Sequence, residues 1–198
     1  VALRTGRPAR LILSRGEVLT SARTRHPQVM KLRTGINRDG KITTVALDTI
    51  MNTGAYGSHA LTVVCNTGAK VLPLLNKADN VEFKARSVYT NLPVGGAYRG
   101  YGATQGSFAL NVQMDEMARA IDMDVVELWR KNHIRTGETS PVFKALGEGT
   151  EGVEMIIGSC GLSECIDQGE AAIEWEKWRD KKVTVGDEVY GVGMAALM

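Results

Sequence analysis

Glycine is concentrated in one short segment of the chain, which holds Gly95, Gly96, Gly100, Gly102 and Gly106. Arg99 and Tyr101 stand between these glycines, and an amphipathic helix pattern follows directly. Glycine lets the backbone adopt positive φ and approach a ligand closely, and the free amides at a helix N-terminus favour an anion. The segment therefore predicts a loop that binds a phosphate or pyrophosphate group, while its composition alone is equally typical of a structural loop.

Two familiar nucleotide-binding loops do not match this segment. Gly100, Gly102 and Gly106 leave three residues between the last two glycines, where the Rossmann fingerprint has two, and no clear βαβ unit surrounds them. A Gly-Lys-Ser/Thr sequence, as in a P-loop, does not follow. A nucleotide- or phosphate-binding module without redox activity, and a purely structural domain, both remain open on the residues alone.

Other reactive residue types form no pattern of their own. Cys65, Cys160 and Cys165 are few and odd in number, which does not suit a disulfide-stapled secreted fold, and they have no zinc-like spacing. We therefore expect ordinary thiols in a reducing compartment. The three histidines are dispersed along the chain.

The composition is that of a globular domain of 198 residues, with 43% hydrophobic and 23% charged residues. The net charge of +2 is spread along the chain, so we expect neither a nucleic-acid nor a membrane partner. No apolar run approaches the roughly 20 residues that span a bilayer, and no apolar signal segment is visible. A cytoplasmic location is the expectation.

Residues 1–90 are predicted to be mainly strands. Residues 10–13 are a short strand candidate, and residues 30–36 alternate in hydrophobicity before a turn at 37–40. The return strand, residues 42–51, is apolar on both sides and is predicted to lie inside a larger sheet. Residues 81–89 alternate as a further strand.

Residues 107–180 are predicted to be mainly helical. Apolar residues recur at helical spacing in the first helix, at Leu110, Met114, Met117 and Ile121. Asp124 with Glu127 forms a capping-box pattern for a second helix, which Thr136 and Gly137 would end.

A third helix is predicted from a Ser163 cap to about Arg179, with Ile166, Ala172 and Ile173 facing inward. Strands early and helices later favour an α+β architecture in one domain of residues 1–198. Residues 187–198 are predicted to start a further strand. Since the sequence opens without Met and stops on this apolar stretch, we expect a fragment.

The glycine-rich loop, residues 91–106, closely resembles a motif of the molybdenum hydroxylases. Asn91-Leu92-Pro93, the run from Gly96 to Gly102 and Gln105-Gly106 are similar to the "NLP…AFRGFG…QG" segment of xanthine dehydrogenase, aldehyde oxidase, carbon monoxide dehydrogenase and nicotinate dehydrogenase. Flanking segments resemble the family in the same order, namely residues 5–8, 14–17, 39–42, 52–55, 114–118 and 127–132. The resemblance covers nearly the whole chain.

The resemblance implies part of a molybdopterin-binding domain, an antiparallel hairpin-rich sheet with packed helices. It implies a molybdenum pyranopterin cofactor, as molybdopterin or its cytosine dinucleotide. Arg99 would lie at the metal end of the cofactor, and Tyr101 would form one wall of the substrate site. The implied cofactor-binding residues are Gly96, Ala97, Tyr98, Arg99, Gly100, Gly102 and Gln105.

The resemblance also implies hydroxylation of a small molecule, with electrons passing to Fe-S and FAD subunits or domains. The family's glutamate base has no equivalent in this chain, so we expect no catalytic residue here and an inactive isolated chain. Purine hydroxylases place an arginine about thirty residues before the loop, where this chain has residues 66–70 without one. The resemblance therefore implies another N-heterocycle or an aldehyde as substrate.

Overall fold

A long strand, β2 (Ile42–Gly54), lies at the centre of the main sheet of the computed structural model, which describes residues 1–197. On one side β1 (Gln28–Ile36) pairs with it in antiparallel fashion, and on the other β3 (Asn80–Tyr89) pairs in parallel. A strand with neighbours on both edges and a packed face must be apolar, which is why β2 lacks strict alternation. The predicted position of this strand inside a sheet is confirmed.

The hairpin between β1 and β2 follows the sequence prediction closely. Its turn is closed by the amide of Asn37 donating to the carbonyl of Lys41 at 2.9 Å, and Gly40 adopts a φ of 85°. In β1 the side chains of Met30 and Leu32 are half-buried, while their neighbours Lys31 and Arg33 are exposed. The alternation predicted from the sequence is therefore the alternation between the core face and the solvent face.

The helices of the described residues are unequal in length. They are α1 (Ala2–Thr5), α2 (Arg15–Ser21), α3 (Ala60–Ala69), a 3₁₀ turn (Leu72–Leu75), α4 (Ala103–Ala120), α5 (Val125–Asn132), α6 (Pro141–Ala145), α7 (Leu162–Ala172) and α8 (Trp175–Trp178). A small antiparallel hairpin, β4 (Val183–Val185) and β5 (Glu188–Tyr190), follows them. The mixture of helices and strands is the α+β class that the sequence indicates.

The two helices after the loop pack as their patterns predict. In α4, Leu110, Met114 and Met117 are buried. Helix α5 is capped by Asp124, whose carboxylate accepts hydrogen bonds from the amides of Val126 at 2.8 Å and Glu127 at 3.2 Å. Such a cap satisfies amides that the first turn leaves without a partner.

The predicted end of α5 at Thr136 and Gly137 is wrong. The helix stops at Asn132, and the next residue, His133, has an extended backbone with a ψ of 150°. The His133 side chain is buried and bonds the carbonyl of Ile134 at 2.7 Å and the hydroxyl of Ser163 at 3.0 Å. The hydrogen bonds of the His133 side chain therefore fix an extended backbone at residue 133, so the helix ends before it reaches Gly137.

The predicted third helix is divided in two. Its N-cap is Gly161, because the Ser163 hydroxyl is used by His133. The chain breaks after Ala172, where Glu174 adopts a left-handed φ of 49°. Ile166 is buried as predicted, but Ala172 and Ile173 are exposed and the buried position passes to Trp175.

Three further predictions differ from the structure. Residues 10–13 form no strand, and Leu11 and Ile12 are 87% and 67% exposed, because no strand of the described chain lies beside them. Residues 60–69 form α3, although the range 1–90 was expected to be mainly strands; Ala60, Val63, Val64 and Thr67 are buried at helical spacing. The strand expected in residues 187–198 is limited to β5.

The main core lies between the sheet and the helices α4 and α5. Ile42, Val45 and Leu47 of β2 and the fully buried Trp129 of α5 belong to it. A smaller cluster joins Met51 of β2 to Ala60, Val63 and Val64 of α3, with Tyr101 packed against it. None of the described helices is long and apolar enough to span a membrane.

Candidate cofactor-binding loop

The base of the glycine-rich loop is held against the segment that precedes β1. Thr24 and Gly95 form an isolated parallel bridge, and the amide of Gly96 donates to the carbonyl of Thr24 at 3.0 Å. A Cβ added to Gly95 would lie within 3.0 Å of the His26 ring, and one added to Gly96 within 3.0 Å of the Arg23 side chain. Gly95 and Gly96 are buried, so these two glycines allow close packing beneath the loop.

The following four residues, 97–100, form an exposed stretch that we call the crest. Within residues 1–197, the side chain of Arg99 has no hydrogen bond or ion pair, and the crest amides donate to no protein acceptor. Gly100, Tyr101 and Gly102 then have consecutive positive φ values of 93°, 45° and 97°. The chain thus turns sharply after the crest, and the crest amides are left as possible donors to an anion.

Arg25 holds the crest and the start of α4 together. Its guanidinium donates to the hydroxyl of Thr104 at 2.5 Å, to the amide oxygen of Gln105 at 3.4 Å and to the carbonyl of Arg99. Its central carbon lies 4.7 Å from the centroid of the Tyr98 ring, a cation–π geometry. The planar guanidinium of Arg25 can bind all of these partners at the same time, so it holds the crest in one conformation relative to the start of α4.

Helix α4 points its N-terminus at the crest because it packs closely on α3. A Cβ at Gly102 would lie within 3.0 Å of the Val63 carbonyl, and one at Gly106 within 3.0 Å of the Thr67 carbonyl. The side chain of Gln105 is engaged within the protein, since its amide nitrogen donates to the carbonyl of His26 at 3.1 Å. In the described chain the first-turn amides of Thr104 and Gln105 donate no hydrogen bond.

Tyr101 connects the loop to α3. Its hydroxyl lies 2.8 Å from Nδ1 of His59 and 2.6 Å from the hydroxyl of Thr62. The phenol packs against the smaller core cluster and remains half-buried. The hydroxyl of Tyr101, which a phenylalanine would lack, thus has two hydrogen-bond partners in the protein.

The structure brings the predicted residues of the loop together in different roles. Tyr98, Arg99 and Gly100 share the exposed crest, whereas Gly96 is buried below it and Gln105 lies at its base. Sequence reasoning missed four side chains that shape this site: Arg25, His26, His59 and Thr62. The ring of His26 packs beneath Gly95, and the hydrogen bonds of the other three with the loop cross 39 to 80 positions of the sequence, so no local spacing could have shown them.

The loop is an open surface and does not line the cavities found elsewhere. A cavity of about 560 Å³ lies between α4, α5 and α8 and is lined by residues that include Asp115, Arg119 and Arg179.

The carboxylate of Asp124 lies at this cavity and accepts hydrogen bonds from Arg179 at 2.5 Å and from Trp175 at 2.9 Å. Partial burial raises the pKa of Asp124, but these hydrogen bonds and those from the amides of Glu127 and Val126 together lower it below its usual value, so the carboxylate keeps its charge at the helix cap.

Comparison with known proteins decides the family. The family model described as "Molybdopterin cofactor-binding domain" matches residues 1–133. The chain belongs to the molybdopterin cofactor-binding domain family. The resemblance seen in the sequence to the molybdenum hydroxylases is thereby confirmed.

Curated relatives of this molybdopterin-binding chain are oxidoreductases. It is 35% identical over 195 residues to the probable hypoxanthine oxidase of Escherichia coli (strain K12). The aligned residues make up 98% of this chain and 20% of that protein. It is 33% identical over 184 residues to the nicotinate dehydrogenase large molybdopterin subunit of Eubacterium barkeri, covering 88% of this chain and 40% of that protein. The chain thus spans only a part of the length of these relatives.

Solved structures share the fold. The aldehyde oxidoreductase from Desulfovibrio gigas matches with a TM-score of 0.64 and 28% identity, over 81% of this chain and 16% of that one. Quinoline 2-oxidoreductase from Pseudomonas putida 86 matches with a TM-score of 0.69 over 89% of this chain and 22% of that one. The sequence identity to quinoline 2-oxidoreductase is only 23%, so this similarity shows a shared fold and nothing more.

The residues of the molybdopterin-binding chain fit the cofactor that the family implies. A molybdenum pyranopterin presents anionic oxygen atoms, and the crest offers backbone amides without protein partners beside the unpaired guanidinium of Arg99. The N-terminus of the 18-residue helix α4 adds a favourable dipole on the same side of the chain. Donors and positive charge are therefore available to an anionic group.

Proposed function

We propose that this chain is the molybdenum-cofactor-binding portion of an oxidoreductase that hydroxylates an N-heterocycle or an aldehyde with oxygen derived from water. The observation that carries the proposal is the crest, where the unpaired Arg99 stands beside free amides and the Tyr101 wall. The family match supports the cofactor, and the names of the relatives support the reaction class.

Each part of the loop has a distinct task in this proposal. The amides of residues 97–100, with those of Gly102 and Gln105, would hold anionic oxygens of the pyranopterin, and the guanidinium of Arg99 would bind at its metal end. Gly96 lets the base of the loop pack closely. When bound, the molybdenum pyranopterin, as molybdopterin or its cytosine dinucleotide, would supply two-electron redox chemistry.

Tyr101 would orient the substrate. Its ring is half-buried at the edge of the loop, and its hydroxyl is fixed by hydrogen bonds so that the ring keeps one position. A flat heterocycle would pack against the exposed part of this ring. The substrate is proposed to be an N-heterocycle or aldehyde other than xanthine, since no arginine stands at residues 66–70.

The proton acceptor and the electron path are proposed to lie outside this chain. No glutamate of the chain stands at the crest, so the base that activates water would come from the remainder of the molybdenum subunit. Electrons would pass to Fe-S and FAD subunits or domains in a cytoplasmic assembly. The isolated chain is therefore expected to have no turnover.

Metal analysis of the purified complex tests the proposal. We expect molybdenum in the wild-type complex and a loss of roughly tenfold or more in cofactor affinity for Arg99→Ala, because a charge-assisted hydrogen bond contributes about 1.5–3 kcal/mol. Arg99→Lys should retain part of the molybdenum, since it keeps the charge without the planar donor set.

The control is Arg38→Ala, which removes an exposed arginine from the β1–β2 turn and should leave the molybdenum content unchanged. Equal molybdenum content and activity in the Arg99→Ala and wild-type complexes would contradict the role of Arg99. A wild-type complex that contains phosphate or a nucleotide but no molybdenum would replace the proposal with a redox-inactive phosphate-binding module.

A further inference from the structure

A hydrogen-bonded set of side chains lies behind the proposed substrate wall, formed by His59, Thr62 and Tyr101. Their bonds are 2.8 Å between His59 Nδ1 and the Tyr101 hydroxyl and 2.6 Å between the Thr62 and Tyr101 hydroxyls. The hydroxyl of Thr62 also donates to the backbone carbonyl of His59 at 3.1 Å. His59 and Thr62 stand at the start of α3, and the His59 side chain is exposed.

Only one arrangement of protons makes all three bonds at once. A carbonyl can only accept, so the single hydroxyl proton of Thr62 is committed to His59, and its oxygen accepts from Tyr101. The Tyr101 oxygen must then accept from the imidazole, which places a proton on Nδ1 of His59. In the neutral imidazole, Nε2 consequently carries a lone pair, and within residues 1–197 it has no hydrogen-bond donor.

The imidazole stands at the hydroxyl end of the Tyr101 ring. The ring planes of His59 and Tyr101 meet at 79° with centroids 5.9 Å apart, and Nδ1 of His59 lies 2.8 Å from the Tyr101 hydroxyl oxygen. His59 is also exposed. The imidazole is therefore next to any flat ring that packs on Tyr101 and extends past its hydroxyl.

Backbone strain is concentrated at this contact. His59 and Tyr101 have left-handed φ values of 53° and 45°, and they are two of the four non-glycine residues with positive φ in the described chain. Such conformations carry a cost of about 1–3 kcal/mol each and persist where the surroundings enforce them. Two strained residues joined by one hydrogen bond indicate a preorganised pair.

We propose that His59 is a specificity-determining residue, whose Nε2 accepts a hydrogen bond from the ring N–H of an N-heterocycle packed on Tyr101. The inference rests on the proposed function, and it narrows the substrate class from an N-heterocycle or an aldehyde to a heterocycle with an N–H donor at its edge. Tyr101 acts twice, as the stacking surface and as the group that orients the imidazole.

The neighbouring side chains on α3 are already engaged. Asn66 is buried, and its amide donates to the carboxylate of Glu148 at 3.0 Å. Thr67 is buried and accepts a hydrogen bond from the Gln28 side chain at 2.8 Å. His59 thus offers a free acceptor at a point where residues 66 and 67 are bound within the protein.

Binding of two matched probes to the complete enzyme complex tests the inference. The probes are 4-quinazolinone, whose ring N–H donates, and its N-methyl derivative, which has no donor; both are titrated calorimetrically without an electron acceptor. His59→Asn is the principal variant, because asparagine tolerates a left-handed backbone and its shorter side chain does not reach the Tyr101 hydroxyl. Thermal melting verifies that it folds.

We expect His59→Asn to weaken binding of the N–H probe about three- to tenfold more than binding of the N-methyl probe, the effect of one hydrogen bond. Tyr101→Phe should reduce the same preference, because the imidazole loses its anchor. The control, Leu61→Ala, alters an exposed neighbour in the first turn of α3 and should leave both affinities unchanged. Equal weakening of both probes, or none, overturns the inference.

The failure of this inference can be told apart from failure of the proposed function. A complex that contains molybdenum and oxidises an aldehyde such as benzaldehyde, yet binds both probes equally in the wild type, retains the proposed function and loses the role of His59. A complex without molybdenum overturns both.

Discussion

At the scale of single residues, the shape of the crest depends on Arg25 more than on the residues of the crest itself. The guanidinium of Arg25 contacts the Arg99 carbonyl, Thr104, Gln105 and the Tyr98 ring, whereas the Arg99 side chain has no protein partner in the described chain. One arginine therefore orders the loop and leaves the other free for an anion. Arg25 is accordingly a positioning residue.

Replacement of Arg25 by lysine tests this division of roles. A lysine ammonium cannot reproduce the planar fork, so we expect the loop to open more often and the amides of Tyr101 and Ala103 to exchange with deuterium about tenfold faster. Mass spectrometry of peptides that cover residues 97–106 measures the change. The control is Arg33→Lys, which changes an exposed residue of β1. Unchanged deuterium exchange in the Arg25 variant would contradict the role of Arg25 as a positioning residue.

The sequence indicated the loop and its exposed residues but not the residues that support them. Arg99 and Tyr101 were visible because five glycines and a family motif surround them. Arg25 contacts the Arg99 carbonyl across 74 positions and His59 contacts Tyr101 across 42, and each stands in a segment with no motif of its own. Long-range side-chain pairs arise from the tertiary fold, so local spacing does not show them.

At the scale of elements, the contact between α3 and α4 sets the direction in which the loop faces. Gly106 lies where a Cβ would come within 3.0 Å of the Thr67 carbonyl, so the two helices approach through a backbone contact. This packing places the N-terminus of α4 directly behind the crest. A larger residue would have to push the helix, and the loop with it, away from α3.

Gly106→Ala is therefore expected to destabilise the protein by about 1–3 kcal/mol, as overpacking does in other cores. The matched control is Gly169→Ala in α7, where no atom lies within 4 Å of an added Cβ. Alanine there should be neutral or stabilise the helix by up to about 1 kcal/mol. Urea unfolding measures both variants, and equal effects on the two glycines would show that helix propensity, not packing, governs position 106.

Elements were predictable where local pattern and tertiary environment agree. The β1–β2 hairpin combines alternation with a turn sequence, and α4 has a clear apolar stripe. Helix α3 was missed because its β-branched residues resemble a strand until the buried spacing of Ala60, Val63 and Thr67 is recognised. The parallel pairing of β3 follows from the crossover through α3, which a strand pattern alone does not contain.

At the scale of the whole molecule, burial is distributed very unevenly. Every residue from 1 to 22 is exposed except the half-buried Val18, although this segment contains apolar residues such as Leu3 and Leu11, which are 98% and 87% exposed. The buried residues of the main core, by contrast, all lie from Ile42 onwards, with Trp129 fully buried, and the half-buried residues that pack on them begin with Met30. Helices α1 and α2 therefore contribute little to the free energy of folding.

Removal of residues 1–21 should consequently leave the melting temperature within about 2 °C of the intact chain, because it takes no residue from the core. Differential scanning calorimetry measures the shift, and limited trypsin digestion should cut after Arg4, Arg10 and Arg15 first. Trp129→Ala provides the scale, since loss of this buried ring costs about 3–5 kcal/mol. A truncation as destabilising as Trp129→Ala would mean that the N-terminal segment packs on the core in solution.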